Sequence, residues 1–424
     1  MTVHFRSKER RSRWVFMFAA AVMHCLPVAH GQTSEFFPPV TNGDGIRYPL
    51  VFSPVIWGIE GRVLTVEGSD GLVHLAYVLR LTNVLGEPIK IQSIQIVDPF
   101  ADYREVGMNQ VVATDNEDIT GKVNPIPAPG YLDGKAYTSL LKAGASGAMF
   151  LDITFPNAGA VPAYISHRIT VVQEDKSGAS QTFVTTDAPV AVDRSNAIVL
   201  SPPLRGDGWL DGDTCCKQIG GHRWALTPIN GRAEPIETFA ADILQLRPDG
   251  RVFAGPANEL SSYEYYGANV YCAGDGTVVE VVRDLKDQIP GAPVPVPPDE
   301  AAGNHVIVAM KQKHYAMYAH LAPNSIQVQV GDAVVAGQVL GKLGNTGSSS
   351  APHLHFQVMD EPSPLAGRGL PFVFDHMQRR FRYAGSLDDE ARQTVSGEPM
   401  SLKPATPVDL CGKMPLTFDV LDFH

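Results

Sequence analysis

The stretch Ala351-Pro-His353-Leu-His355-Phe-Gln-Val358 decides how this chain is read. Two histidines two residues apart on a strand point to the same face. One can bind a metal while the other faces whatever that metal holds. Thirty-three residues before His353, the strand-like run Tyr315-Ala-Met-Tyr318-Ala-His320-Leu321 offers a third imidazole. Histidines gathered in this way point to a zinc hydrolase. Such an enzyme needs about three protein ligands and an open position. The metal lowers the pKa of water and polarises a carbonyl. Further neutral imidazoles accept the proton or stabilise the oxyanion.

Working upstream, Asp242 stands in Glu237-Thr-Phe-Ala-Ala-Asp242-Ile-Leu-Gln-Leu246, a charge inside an apolar run. A buried carboxylate is costly unless it is paired or metal-bound, so Asp242 is a candidate ligand. The competing reading leaves it at a strand end in water. His222, in Gly220-Gly-His222-Arg-Trp-Ala-Leu226, lies twenty residues earlier. Asn230-Gly231 between them is a hairpin signal that folds His222 back towards Asp242.

Several fragments then follow in order: Phe239-Ala-Ala-Asp242, Gly267-Ala-Asn-Val-Tyr-Cys-Ala-Gly-Asp-Gly-Thr-Val278, Gly303-Asn-His-Val, Tyr318-Ala-His-Leu, Val330-Gly-Asp-Ala-Val-Val-Ala-Gly-Gln-Val-Leu-Gly341, Gly344-Asn-Thr-Gly and Ala351-Pro-His-Leu-His-Phe. Together they resemble the lysostaphin-type (LytM-type) zinc metallopeptidases, whose fold is the duplicated hybrid motif. The resemblance covers roughly residues 220–375. It implies zinc as cofactor, Asp242 and His355 as ligands, and His320 and His353 as catalytic histidines. It also implies cleavage of peptide bonds, typically in bacterial cell-wall peptidoglycan. The family's usual first motif is His-x-x-x-Asp, and here Thr238 stands four residues before Asp242. Either His222 supplies the missing ligand, as in similar-looking variants with a His-Arg pair upstream, or the site is degenerate. A degenerate member would act as a binding or activator module for other wall hydrolases. A biotinyl- or lipoyl-carrier domain shares hairpins like 330–341, but no Gly-Asp turn here presents the lysine that a carrier needs.

The rest of the chain frames this segment. Its 424 residues, with 39 Gly, 33 Pro and 44% hydrophobic residues, suit an all-β protein of two or more domains. The alternating runs 61–66, 74–81, 89–96, 148–155 and 167–172 suit an immunoglobulin-like β-sandwich over residues 32–200. His74 and His167 read as strand residues rather than ligands. Residues 201–212 read as a Pro/Gly-rich junction opening a metallopeptidase-like domain at 201–380. Two Gly-Asp stretches, 270–279 and 330–339, suggest a duplicated hairpin. Residues 381–424 read as a tail, loop-like at first and ending in a docked strand.

Arg6, Lys8, Arg10, Arg11 and Arg13 followed by an apolar stretch to Val28 read as a signal peptide, cleaved after about Gly31. This predicts a secreted or periplasmic product without an integral membrane segment. Its removal moves the formal charge from −11 to −15. Such an acidic product is not expected to bind nucleic acid. The remaining cysteines, Cys215, Cys216, Cys272 and Cys411, suit one or two disulfides. The adjacent pair is expected to bridge outward, to Cys272 and Cys411.

Overall fold

Alternating β-branched and polar residues favour extended chain, and among the described residues strands dominate, with one α-helix. The computed structural model describes residues 40–41, 47–48, 52–108, 111–112, 124–125, 140–174, 177–216 and 221–424. The expected signal peptide, 1–31, lies outside these. Val40–Thr41 pairs with Arg47–Tyr48 within a first unit that ends at residue 50, and residues 51–424 form one compact unit.

Six long strands open that unit: β1 (Val55–Glu67), β2 (Val73–Asn83), β3 (Ile89–Asp98), β4 (Ser146–Phe155), β5 (Tyr164–Glu174) and β6 (Ser180–Thr186). The five runs read as strands in the sequence fall within β1 to β5. One antiparallel sheet runs β1-β2-β4 and a second runs β6-β5-β3. Alternate residues of both, including Leu75, Tyr77, Ile94, Ile153 and Ile169, share one apolar core. The opposite faces of β2 and β4 are also apolar. Val78, Ala148 and Phe150 pack against Leu226, which lies outside both sheets. His74 and His167 are buried. His74 sits between Asp152 at 2.9 Å and Asp70 at 3.3 Å, and His167 bonds Asp187 and the Tyr77 hydroxyl.

The second half forms one large sheet from β7 (Gly206–Asp213), β8 (Ala241–Gln245), β9 (Gly276–Val282), β10 (His305–Ala309), β11 (Tyr315–Ala319), β12 (Leu354–Met359), β13 (Met377–Tyr383), β14 (Leu402–Leu410) and β15 (Asp419–Phe423). Their order is β9-β10-β11-β12-β8-β7-β15-β13-β14. The stretch expected to be a junction is therefore a strand, β7, between β8 and β15. Trp209 and Leu210 anchor it in the core, which outweighs the turn-forming glycines around them. The two Gly-Asp stretches pair with each other. Asn269–Tyr271 runs against Val339–Lys342, and β9 runs against Ala333–Val334.

The segment after 380 also departs from expectation. Phe381 to Tyr383 finish β13, and a helix α1 (Leu387–Ser396) follows where loop was expected. Ser386 and Asp389 cap its first turn reciprocally, and Gly397 closes it at φ +70°. The expected docked strand is β15, paired with β7 and β13. The cysteine expectation is overturned too. Cys215 and Cys216 are bonded to one another across a cis peptide. Cys272 is free and buried, its thiol donating to the Gly274 carbonyl at 3.0 Å, and Cys411 is free and exposed.

Phe356 is fully buried in β12, with rings of Tyr318, Phe372 and Phe374 around it. Phe356→Ala is expected to cost about 3–5 kcal/mol in urea unfolding. Burial disfavours a charged His74, but Asp152 and Asp70 overcome that and raise its pKa to about 9. The stabilisation from the charged His74 is fully present below its unfolded value of about 6.5 and lost as pH rises through about 9. Melting temperature should fall over that window, and His74→Gln should flatten the fall.

Candidate metal centre

The ladder between β8 and β12 puts Asp242 directly opposite His355, and β11 on the other side puts Ala319 opposite His355. His320 follows immediately, at φ +59°. His353 stands just before β12, where the chain bridges to Gly344. His222 arrives differently. It opens a single 3-10 turn, His222–Trp224, that leads into the hairpin Leu226–Ile229 and Arg232–Pro235 around Asn230-Gly231. The hairpin signal in the sequence is thus realised, and the chain returns through Phe239 to β8.

All five residues named from the sequence meet in one place. Asp242 Oδ2 lies 3.2 Å from His222 Nε2, and Asp242 Oδ1 lies 3.0 Å from His355 Nδ1 and 3.4 Å from His353 Nε2. One donor atom from each of His222, Asp242 and His355 falls within 4.8 Å of the other two. Ring centroids are 4.8 Å apart for His222 and His355 and 4.6 Å apart for His320 and His353. Two imidazoles and a carboxylate converging on one point are a donor set that suits zinc.

Hydrogen bonds fix which nitrogen each ring presents. His355 Nε2 donates to Gln357 Oε1 at 3.1 Å, leaving Nδ1 towards Asp242. His320 Nδ1 donates to the Thr346 carbonyl at 2.7 Å and His353 Nδ1 to the Ala351 carbonyl at 2.8 Å, leaving both Nε2 atoms free of those carbonyls. Burial raises the Asp242 carboxyl, but the imidazoles of His222 and His353 outweigh it and hold the group well below the usual range. Burial and the neighbouring His353 and His355 push His320 well below an ordinary histidine. His353 moves the other way, because Asp242 outweighs its burial.

These side chains line a cavity of about 410 Å³ with Asp213, Glu237, Ala301, Ala302, Ser348 and Ser350. Thr238 does not line it. Its hydroxyl faces the Pro235 carbonyl, and it lines a separate small pocket with Glu60 and Arg62. Two contributors were not anticipated. Gln357 orients His355, and its place two residues along the same strand was the available signal. Asp213 accepts the His222 backbone N–H at 2.8 Å, and nothing local in the sequence marks it. His305 and His314 stay outside the cavity. His305 is buried against the Gly303 carbonyl, and His314 turns to the Lys311 carbonyl. Tyr263 and Tyr265 belong to the core.

Residues 262–366 match the model of Peptidase family M23. The chain is 48% identical over 101 residues to glycyl-glycine endopeptidase ALE-1 of Staphylococcus capitis, covering 24% of this chain and 26% of that protein. It is 32% identical over 99 residues to peptidoglycan DD-endopeptidase ShyA of Vibrio cholerae, covering 23% and 19%. The matched segment thus spans about a quarter or less of these relatives. Among solved structures, the catalytic domain of lysostaphin from Staphylococcus simulans is similar at 23% identity, covering 39% of this chain and 88% of that one, with a TM-score of 0.22. The family match takes in His320, His353 and His355 and begins after His222 and Asp242. The chain therefore carries a peptidase family M23 domain.

Proposed function

We propose that this chain is an exported zinc-dependent endopeptidase that hydrolyses peptide bonds in bacterial peptidoglycan. One observation carries the reading: His222, Asp242 and His355 converge beneath His320 and His353 in a single cavity. His222, Asp242 and His355 would hold the metal. When bound, zinc supplies Lewis acidity, making water a nucleophile at neutral pH and polarising the scissile carbonyl.

The remaining work falls to the two other histidines. Each is held through Nδ1 by a backbone carbonyl, so each offers Nε2 to the cavity. His320, kept neutral, takes a proton from the attacking water. His353 donates a hydrogen bond to the developing oxyanion, and the proton taken up by His320 passes to the leaving amine. Gln357 keeps the His355 tautomer that aims Nδ1 at the metal position. The basic and apolar N-terminal segment supports export.

The second reading, a non-hydrolytic binding module, is favoured by Thr238 alone. A groove kept only for binding has no chemical need for Asp242, His320, His353 and His355 gathered together.

The test is incubation of the zinc-loaded protein with peptidoglycan fragments and glycine-rich peptides, with products read by mass spectrometry. New peptide termini are expected, and intact substrates would exclude hydrolysis of these bonds. Purified protein is expected to contain one zinc per chain. His320→Ala should retain that zinc by elemental analysis while losing about 10²–10⁴-fold in kcat. Gln357→Leu should weaken zinc binding about 10- to 100-fold in competition with a chromophoric chelator.

A further inference from the structure

The turn that delivers His222 is held from two sides. On one side the His222 backbone N–H bonds Asp213 Oδ2 at 2.8 Å. On the other, Arg223 leaves the second half of the molecule altogether. Its guanidinium is buried, 2% exposed, and its Nη2 donates to the Leu151 carbonyl at 2.8 Å, with the Tyr77 carbonyl at 3.4 Å. Leu151 and Tyr77 face each other across the β2–β4 ladder, so one side chain engages the backbone of both strands. Its Nε and Nη1 find no hydrogen-bond partner among the described residues. A buried cation with unpartnered donors costs stability.

Building on the zinc reading above, we propose that Arg223 is a positioning residue that fixes His222 in the metal site by anchoring its turn to the N-terminal sheet. His222 has no strand ladder to hold it, unlike Asp242 and His355. A turn of three residues, secured at the backbone by Asp213 and through a side chain by β2 and β4, replaces that rigidity. The N-terminal sheet is then part of the metal site's support, and zinc affinity is a property of the whole chain. Packing of Leu226 against Val78 and Phe150 continues the same anchorage along the hairpin.

The test uses the full chain and compares Arg223→Met with Arg368→Met. Arg368 pairs with Glu234 of the same hairpin but lies outside the cavity. Zinc affinity, the visible spectrum of the cobalt-substituted protein and the apo melting temperature are measured for each. Arg223→Met is expected to weaken zinc at least 10-fold and to alter the cobalt spectrum. Arg368→Met is expected to lower the melting temperature without changing either metal readout. Wild-type affinity and spectrum in Arg223→Met would overturn the proposal, leaving Arg223 a packing residue. If that variant does not fold, Arg223→Lys keeps the charge but has a shorter, single donor group. It is expected to bind zinc several-fold more weakly at unchanged melting temperature, and unchanged affinity would overturn the proposal equally. His222→Ala separates the two readings. Unchanged zinc affinity there would remove His222 as a ligand and with it the ligand set proposed above. Weakened affinity there with none in the Arg223 variants would remove only the positioning role.

Discussion

The site depends on one carboxylate. Asp242 sits on an interior strand, opposite His355, and is within 3.4 Å of three imidazoles. A charge in that setting is unfavourable unless opposite charge meets it. The surrounding histidines, or a cation that they share, meet that requirement. The β8–β12 ladder sets the Asp242–His355 pair without any loop, which is why its geometry is tight. His320 and His353 then inherit their positions from the ends of β11 and β12, with backbone carbonyls locking each ring. Sheet register therefore fixes the Asp242–His355 pair at the base of the cavity, and the segments around Ala301, Ser348 and Pro364, outside the strands, complete its walls.

His222 is the exception to that rigidity. The usual first ligand position four residues before Asp242 holds Thr238, whose side chain turns to a different pocket. His222 comes to Asp242 from twenty residues upstream, through a hairpin that packs on the N-terminal sheet at Leu226. A short turn has little stiffness of its own, so its order has to come from what it touches. Asp213 and Arg223 supply it, one from the neighbouring β7 and one by reaching into a sheet formed by residues far away in sequence.

Much of the site was legible in the sequence because its parts are local signals. His353 and His355 show the two-residue strand period, Asp242 is a charge in an apolar run, and Asn230-Gly231 marks the hairpin that returns His222. The N-terminal strands were legible for the same reason of alternation. The strand β7 was hidden because its glycines and aspartates read as turn chemistry, while the burial of Trp209 and Leu210 that makes it a strand is a tertiary fact. Helix α1 had its signal in Ser386-Leu-Asp-Asp389, outweighed by the charged composition around it. The anchorage of Arg223 could not be read at all. Its acceptors are backbone carbonyls 72 and 146 residues away, which no side-chain pattern encodes.

The central claim is that His222 takes the place of the missing family ligand. X-ray absorption at the zinc edge of the metal-loaded protein tests it directly, because outer-shell scattering from imidazole counts the histidines bound. Two imidazoles and one carboxylate oxygen are expected in the wild-type chain, falling to one imidazole in His222→Ala. One imidazole in the wild type, or an unchanged count in the variant, would contradict the account.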